Sequence, residues 1–479
     1  MMSLRETALV LGSVVSANAS GRYQQISIDS RDLLPGSLFV ALKGPNHDGH
    51  DHLSVVEAAG AVGAIVEQRK AIDLPQLVVP DSYAALGKVA AYWRGRLPLK
   101  LVAITGSNGK TTVKGMAAEI AAELGKTLAT EGNQNNEIGM PLTILNARPF
   151  HQYAVIEMGM SSAGELTRMS AIAKPDVAVI TNAGPAHLQQ FKDVANVAIA
   201  KGEILSGLTE DGVAIINGDD ASASLWRELA EPRRVVEFSM TNPDAEIYGQ
   251  WQSTGSGGQL KVVSSAGEWQ ADLFVFGRHN GANALAAIAV GSVLGASPKQ
   301  MAAALARCQP VAGRLQPLLC ANGLTLIDDS YNANPASMEM AIAVLAQMPG
   351  QRTLVLGDMG ELGSQSEELH RQVGRQVGRQ ARHAGIERLM TVGKLSALVT
   401  ESFGEGAKHF TDQQALLEQL TGLGRGNTVL IKGSRAAWME RIVEALMKGG
   451  QADELMHESG LSDSAEVSKR SAKIIGGAT

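Results

Sequence analysis

The sequence predicts an α/β protein made of three domains and a short tail, and three observations support this. The chain has 479 residues, more than one hydrophobic core ordinarily organises, so about three domains are expected. Short apolar runs alternate with helix-like stretches, which is typical of mainly parallel sheets. Polar and glycine-rich motifs directly follow several of these runs, and open α/β sheets bind ligands at that end of their strands.

The first predicted domain covers residues 1–97 and is a small N-terminal α/β unit. Its strand-like runs, at residues 25–28 and 37–41, lie on either side of the turn-forming pair Pro35-Gly36.

The second predicted domain covers residues 98–310 and contains a mainly parallel sheet. It begins with the apolar run 101–104, which has the character of a buried parallel strand. A Gly/Ser-rich stretch at 253–258, inside the segment 235–276, predicts an antiparallel insertion on that sheet. Further strand candidates are residues 153–156, 177–180 and 213–216.

The third predicted domain covers residues 311–448 and repeats the α/β alternation. Its strand candidates are residues 324–327, 353–356 and 428–431, and its last helix includes residues 441–446. Residues 449–479 are rich in Ser, Gly and charge without an apolar period, so we expect a mobile tail.

Composition excludes several classes of protein. No run of roughly 18 apolar residues occurs, which argues against a membrane span. Arg5 and Glu6 precede a short apolar stretch that favours a first helix and strand over a secretion signal. Cys308 and Cys320 are too few for a disulfide framework or a cysteine zinc site, so a reducing, cytoplasmic location is expected. A net charge of -6 and 4% aromatic residues argue against nucleic-acid binding, and a monomer is expected.

A phosphate-binding loop is predicted where the strand 101–104 gives way to a helix. Its glycines allow a tight turn whose amides converge on phosphate oxygens, and the helix N-terminus favours anions. Lys110 would meet the outer phosphates and Thr111 would ligate Mg²⁺. The usual longer Walker pattern would need a glycine at Ile104, so a simple helix-capping turn is the alternative. The loop comprises Gly106, Ser107, Asn108, Gly109, Lys110, Thr111 and Thr112.

Three further side chains are candidates for chemistry. Glu157 follows the strand 153–156 and is a hard oxygen ligand suited to Mg²⁺, although a solvated strand-end glutamate would show the same pattern. His187 lies in a Gly/Pro loop after another strand, where a surface histidine is the alternative. Lys201 lies in an apolar helix-like segment and, without further information, is expected to reach the surface.

Taken together, these segments resemble the Mur ligase family, in its branch that adds a dipeptide. They occur in the family's order from about residue 25 to residue 440. The matching segments are residues 105–111, 131–139, 155–159, the His187 loop, 200–204, 276–283, 313–314 and 328–335.

The resemblance implies an activity and a division of labour. The first domain would bind a UDP-linked substrate, the second ATP, and the third the incoming amino component. The third would be a Rossmann-like α/β domain that closes over the ATP. The reaction would join D-Ala-D-Ala to the terminal carboxylate of a UDP-N-acetylmuramoyl tripeptide through an acyl phosphate, in the cytoplasmic stage of bacterial peptidoglycan synthesis. The reaction would require ATP and two Mg²⁺ ions.

The resemblance also implies roles for individual residues. Lys201 would be a carbamate made with CO₂ and, with His187, would hold the second Mg²⁺ beside the catalytic Lys110. The implied ATP contacts are Asn280 and Asn283 at adenine, Arg314 at phosphate and Asp329 at ribose. The implied substrate contacts are Ser30, Arg31, Asn135, Asn136, Asn332, Asn334 and Asp358. Taken singly, these asparagines and aspartates are also common in turns and helix caps, and an arginine is commonly a surface charge.

Other functions remain open at this point. The chain lacks the Asp-Asn-Pro-Arg motif typical of the branch that adds a diamino acid or lysine, which favours dipeptide addition. A different ligase of the same superfamily, of the folylpolyglutamate synthase or cyanophycin type, is the alternative within this class. A nucleotide-hydrolysing switch protein is the alternative from another class.

Overall fold

The computed structural model describes residues 1–14, 21–185, 190–360 and 366–449. These residues form three sheets with helices packed on their faces, which confirms the predicted α/β class and the three-part organisation. The predicted tail after Gly449 and the predicted site residue His187 lie outside the described residues.

The N-terminal sheet has four parallel strands in the order β1-β2-β3-β4. The first helix begins at a capping box in which Ser3 and Glu6 bond each other's backbone amides, so the chain start is the predicted helix. The elements are α1 (Leu4–Leu11), β1 (Ile26–Ser27), β2 (Leu38–Val40), α2 (Leu53–Ala58), β3 (Gly63–Val66), β4 (Gln76–Val78) and α3 (Ser82–Arg94).

The central sheet has nine strands in the order β13-β12-β11-β10-β9-β8-β5-β7-β6. Its strands are β5 (Lys100–Thr105), β6 (Thr127–Ala129), β7 (Tyr153–Glu157), β8 (Val177–Ile180), β9 (Val213–Asn217), β10 (Arg234–Ser239), β11 (Ile247–Thr254), β12 (Gly257–Ser264) and β13 (Gly267–Leu273). Its helices are α4 (Lys110–Ala122), α5 (Gly139–Leu145), α6 (Glu165–Ala173), α7 (Val194–Gly202), α8 (Ala223–Ala230), α9 (Arg278–Leu294) and α10 (Pro298–Arg307).

The predicted antiparallel insertion on the central sheet is shorter than the segment 235–276. Strand β10 pairs in parallel with both β9 and β11, and the antiparallel pairing involves only β11, β12 and β13. The turn between β11 and β12 lies at the Gly/Ser-rich stretch that predicted it.

The C-terminal sheet has the order β14-β15-β19-β16-β17-β18 and is parallel except for the edge strand β14. Its strands are β14 (Gln316–Leu319), β15 (Thr325–Asp329), β16 (Gln351–Leu356), β17 (Arg388–Val392), β18 (Ala407–Phe410) and β19 (Asn427–Lys432). Its helices are α11 (Pro335–Leu345), α12 (Ser366–His383), α13 (Ala397–Phe403), α14 (Gln413–Thr421) and α15 (Glu440–Met447), the last at the predicted position.

The hydrophobic cores show how the sheets are joined. One buried cluster contains side chains from the N-terminal sheet and from one face of the central sheet, including Leu38, Trp93 and Leu101. The indole of Trp93 also donates a hydrogen bond to the carbonyl of Ala147 at 3.0 Å. The C-terminal sheet has a separate cluster on each face. The N-terminal and central units are therefore packed as one body, whereas the C-terminal unit has its own core.

The structure shows no helix among the described residues that is long and apolar enough to cross a membrane.

Candidate active site

A cavity of about 320 Å³ lies between the central and C-terminal units. Its wall contains strand ends and loops from both sheets, as expected for open α/β sheets. It brings together most of the predicted site residues: Ser107, Asn108, Gly109, Lys110, Thr112, Asn135, Asn136, Glu157, Lys201, Asn280, Asn283, Arg314, Asp329, Asn332 and Asn334.

The phosphate loop connects β5 to α4, and two of its glycines are required by geometry. Gly109 has φ +83°, and a Cβ there would overlap Oδ1 of Asn283. Gly106 has φ +155°, and a Cβ there would overlap the hydroxyl of Thr181. Neither position accepts a larger residue without displacing its neighbours.

The loop is held by the chain segment that follows β8. The amide of Asn108 donates to Oδ1 of Asn182 at 2.9 Å, and its carbonyl accepts from the hydroxyl of Thr181 at 2.6 Å. The amide of Ser107 donates to the carbonyl of Asn182 at 3.0 Å. Thr181 and Asn182 were not among the predicted site residues, although they directly follow an apolar strand, which was the signal used elsewhere.

Two lysines from the central unit, Lys110 and Lys201, line the cavity. Lys110 is the first residue of α4, where the helix dipole favours an anion, and its Nζ donates to the carbonyl of Gly106 at 2.8 Å. Lys201 is only 1% exposed. Burial, and then the charge of Lys110, hold the pKa of the Lys201 amine well below its usual range. The burial of Lys201 shows that the prediction of a surface lysine from the residues alone was wrong.

Glu157 ends β7 and is 2% exposed. Its Oε1 accepts a hydrogen bond from Nδ2 of Asn135 at 2.7 Å, whereas Oε2 has no hydrogen-bond partner within the described residues. A buried carboxylate oxygen without a donor is costly unless a cation binds it. Mg²⁺ commonly takes one or two protein carboxylates and completes its shell with phosphate oxygens and water, so Glu157 fits it. The described residues contain no cluster of three or more acidic, histidine or cysteine ligands.

The C-terminal wall of the cavity contains a buried ion pair that the sequence analysis missed. Nζ of Lys432 lies 2.7 Å from Oδ2 of Asp329 and donates to the carbonyl of Asn332 at 2.8 Å. Burial raises the pKa of the Asp329 carboxyl, while Lys432 acts in the opposite direction. Lys432 ends the apolar strand β19, as Glu157 ends β7, so the same signal would have found it.

Arg314 is held by an unusual turn beside this pair. Its neighbours Gly313 and Leu315 have φ of +73° and +50°, and the amide of Leu315 donates to Oδ1 of Asp329 at 3.2 Å. The guanidinium of Arg314 lies 4.3 Å from the ring centroid of Tyr331, within cation–π range. Such backbone conformations cost energy and are typical of functional sites.

The start of α9 separates this cavity from a second one of about 280 Å³. Nδ2 of Asn283 donates to Oδ1 of Asn280 at 2.9 Å, and Nδ2 of Asn280 donates to the carbonyl of Phe276 at 2.8 Å. His279 contacts both cavities, and burial together with Lys432 lowers its pKa to about 4. The second cavity is lined in part by Phe238, Ala282, Ala286 and Met340.

Several predicted substrate residues also have local structural roles. Oδ1 of Asn136 accepts the amide of Gly139 at the start of α5, at 2.8 Å. Oδ1 of Asn334 accepts the amide of Ser337 and caps α11, while its Nδ2 donates to Oδ1 of Asn108 at 3.0 Å. Asn334 thus joins the C-terminal wall to the phosphate loop.

The remaining predicted residues lie apart from the cavity wall. Thr111 and Gly106 belong to the phosphate loop but do not line the cavity, and neither do Ser30, Arg31 and Asp358. Their roles stay predictions.

Two of these residues have strong local partners. Arg31 forms a two-bond ion pair with Asp29, at 3.0 and 2.9 Å. Oδ1 of Asp358 accepts the amides of Leu395 and Ser396, at 3.0 and 2.7 Å.

The chain matches known protein families, curated proteins and solved structures. Family models match over residues 22–93 (Mur ligase family, catalytic domain), 104–291 (Mur ligase middle domain) and 313–435 (Mur ligase, glutamate ligase domain). A curated relative, UDP-N-acetylmuramoyl-tripeptide--D-alanyl-D-alanine ligase of Escherichia coli (strain K12), is 43% identical over 89% of this chain and 94% of its own length.

Solved structures of MurF ligases are also similar to this chain. A crystal structure of MurF from Acinetobacter baumannii has a TM-score of 0.87 at 33% identity, covering 93% of this chain and 98% of its own. MurF ligase from Thermotoga maritima in complex with ADP has a TM-score of 0.80 at 27% identity, covering 90% and 98%. Because all three domains match and the identity extends over nearly the whole length, the chain belongs to the Mur ligase family.

Proposed function

We propose that the chain is an ATP-dependent ligase that joins D-Ala-D-Ala to the terminal carboxylate of a UDP-N-acetylmuramoyl tripeptide. The main support is the cavity, which brings together the phosphate loop, the buried Glu157 with its unpaired Oε2, and the buried Lys201. Phosphoryl transfer to a carboxylate needs these groups together, because the reacting partners are both anions. The curated relatives carry the name of this reaction.

The first step would form an acyl phosphate. A carboxylate oxygen of the tripeptide attacks the γ-phosphorus of ATP in line, the bond from phosphorus to the bridging oxygen breaks, and ADP leaves. Lys110 and the N-terminus of α4 offset the negative charge on the transferred group, and Arg314 lies on the opposite wall to do the same. Preorganised charge of this kind is worth on the order of 10²-fold in rate per group.

Glu157 and Thr111 would hold Mg²⁺ at the phosphates. The unpaired Oε2 of Glu157 supports this assignment. When bound, Mg²⁺ would neutralise charge on the phosphate oxygens. A second ion is proposed at His187 and Lys201.

The state of Lys201 supports a carbamate at that position. Burial lowers the pKa of the Lys201 amine and so favours its unprotonated form, which is the form that attacks CO₂. A nitrogen–carbon bond forms, the nitrogen loses a proton to water, and the product is an anionic oxygen ligand. Lys201→Ala should lose activity, and short carboxylic acids should restore part of it by supplying the missing carboxylate. Lost activity that no carboxylic acid restores would contradict the carbamate.

The second step would use the C-terminal unit. The free amine of D-Ala-D-Ala attacks the acyl carbon, a tetrahedral intermediate forms, and phosphate leaves as the amine loses a proton. Asn332, Asn334 and Asp358 are proposed for the dipeptide, and Asn135 and Asn136 for the tripeptide. Ser30 and Arg31 are proposed for the UDP end, and the partly apolar second cavity beside Asn280 and Asn283 is proposed for adenine.

A single reaction tests this function. The protein is incubated with ATP, Mg²⁺, D-Ala-D-Ala and a UDP-N-acetylmuramoyl tripeptide ending in either lysine or diaminopimelate, and the product is weighed by mass spectrometry. A mass increase equal to D-Ala-D-Ala minus water, with one phosphate released, is expected for at least one tripeptide. ATP turnover that does not depend on an amine would favour the switch protein instead.

The matched variants are Lys110→Ala and Lys126→Ala. Lys110→Ala should lower kcat by about 10²-fold or more, because a cation at the transferred phosphate is removed. Lys126 is exposed and lies beyond the other end of α4, so its variant should keep full turnover. Near-normal turnover of Lys110→Ala would contradict the proposed chemistry.

A further inference from the structure

The helix α4 presents a second lysine one turn after Lys110 that the proposed phosphate contacts do not use. Lys114 does not line the cavity, and its Nζ donates to the carbonyl of Thr130 at 2.8 Å. Residues four apart on a helix lie on one face, so Lys114 lies below Lys110 on the side of α4 that faces the loop after β6.

Thr130 connects Lys114 to the end of β7. It is buried, its hydroxyl accepts the amide of Glu157 at 2.9 Å, and its own amide donates to the carbonyl of Val155 at 3.1 Å. The carbonyl of Thr130 is therefore bound by α4, while its amide and hydroxyl are bound by β7.

The loop that begins at Thr130 returns to the carboxylate of Glu157. Nδ2 of Asn135 donates to Oε1 of Glu157 at 2.7 Å, and the carbonyl of Asn135 accepts the amide of Gly159 at 2.8 Å. These contacts occupy Oε1 and leave Oε2 without a partner in the described part of the chain. The loop thus determines which oxygen of Glu157 is available.

Burial lowers the pKa of the Lys114 amine, and nearby acidic side chains act in the opposite direction. Glu157 and Glu131 attract its ammonium group, and Arg314 of the C-terminal wall repels it.

We propose that Lys114 is a positioning residue for the metal-binding carboxylate: by holding Thr130, it orients the 130–135 loop and keeps Oε2 of Glu157 available to a divalent cation. The inference rests on the proposed function for the identity of Glu157 as a metal ligand. Groups that orient metal ligands typically affect metal affinity by about 10- to 100-fold.

The test measures metal binding directly. Mn²⁺ replaces Mg²⁺, and free Mn²⁺ is followed by electron paramagnetic resonance as the full-length protein is titrated in the presence of a non-hydrolysable ATP analogue. Lys114→Met should weaken Mn²⁺ binding by about tenfold or more. Lys114→Arg, which keeps a donor and a charge, should restore part of it, and the exposed Lys126→Met should bind like the parent protein.

A second variant covers the case in which Lys114→Met does not fold. Thr130→Val removes the hydroxyl that accepts the amide of Glu157 and keeps the side-chain shape, so it should weaken Mn²⁺ binding in the same direction. Steady-state assays should show a higher Mg²⁺ requirement with a smaller change in kcat at saturating Mg²⁺. A merely structural role would lower the melting temperature without changing the Mn²⁺ affinity of the folded fraction.

The outcomes separate this inference from the proposed function. Unchanged Mn²⁺ affinity in folded Lys114→Met and Thr130→Val would overturn the positioning role even if the parent protein makes the expected amide. Weakened Mn²⁺ binding in both variants would support the role even if the parent protein makes no such product, in which case the proposed ligase function alone would fail.

Discussion

The two walls of the cavity are stabilised by different interactions. The phosphate-loop wall, residues 106–112, is a run of consecutive residues whose backbone groups bond the uncharged side chains of Thr181 and Asn182. The C-terminal wall depends on the buried ion pair of Lys432 and Asp329 and on a turn with positive φ at Leu315. Damage to the first wall should therefore appear in nucleotide binding, and damage to the second should appear in stability.

The largest effect is expected from Lys432→Met. It leaves the carboxylate of Asp329 buried without its cation, which should lower the free energy of unfolding by about 3–5 kcal/mol. Urea denaturation of the variant measures the change. The double variant with Asp329→Asn should recover part of the loss, because the unpaired charge is gone. Equal stability of Lys432→Met and the parent would show that the pair does not hold this wall.

The next effect concerns pH. The pKa of His279 is lowered from 6.5 to about 4, so the unfolded chain takes up a proton at a higher pH than the folded one. The folded state therefore keeps its full stability above about pH 6.5 and loses stability as the pH falls towards 4. At ~1.4 kcal/mol per pKa unit, this loss of unfolding free energy amounts to about 3 kcal/mol.

The measurement is the difference between the parent and His279→Gln in unfolding free energy from pH 7 to pH 4. The parent should lose more stability than the variant over this range. Lys432→Met should reduce the loss, because Lys432 is the second cause of the lowered pKa of His279. Parallel pH profiles for the parent and His279→Gln would contradict the assignment.

Gly109→Ala tests the phosphate-loop wall. The positive φ costs an L-residue about 1–2 kcal/mol, and the added methyl overlaps Oδ1 of Asn283, so the affinity for an ATP analogue should fall about tenfold or more. Calorimetric titration measures the affinity. Gly115→Ala on the same helix meets no atom within 4 Å and should bind normally while gaining up to about 1 kcal/mol of stability. Normal binding by Gly109→Ala would place the phosphates elsewhere.

The smallest effect is expected at Asn334, which connects the two walls. Asn334→Ala removes a helix cap worth ~1 kcal/mol and the hydrogen bond to Asn108. Asn334→Asp keeps the cap but cannot donate to Asn108, so it should lose only the contribution of this hydrogen bond, about 1 kcal/mol, as measured by a double-mutant cycle with Asn108→Ala. A coupling free energy of zero would mean that this hydrogen bond does not stabilise the contact between the two walls.

The sequence alone predicted the features that consecutive residues determine. Alternating apolar runs predicted the α/β class, and the glycines after β5 predicted the phosphate loop because turn geometry depends on neighbouring residues. Glu157 was predicted because it ends an apolar strand, whereas Asp329, which ends another, was predicted only through the family resemblance. Local signals of this kind do not depend on how the sheets pack.

Only the tertiary structure decided which of these groups meet and in what state. Lys432 and Asp329 are 103 residues apart, and Asn334 and Asn108 are 226 apart, so no local pattern pairs them. The same holds for Lys201, whose sequence context predicted a surface lysine and whose burial near Lys110 lowers the pKa of its amine. Burial and nearby charges determine the pKa values of these groups and which of their polar atoms stay unpaired. These surroundings form only when distant strands end at the same cavity.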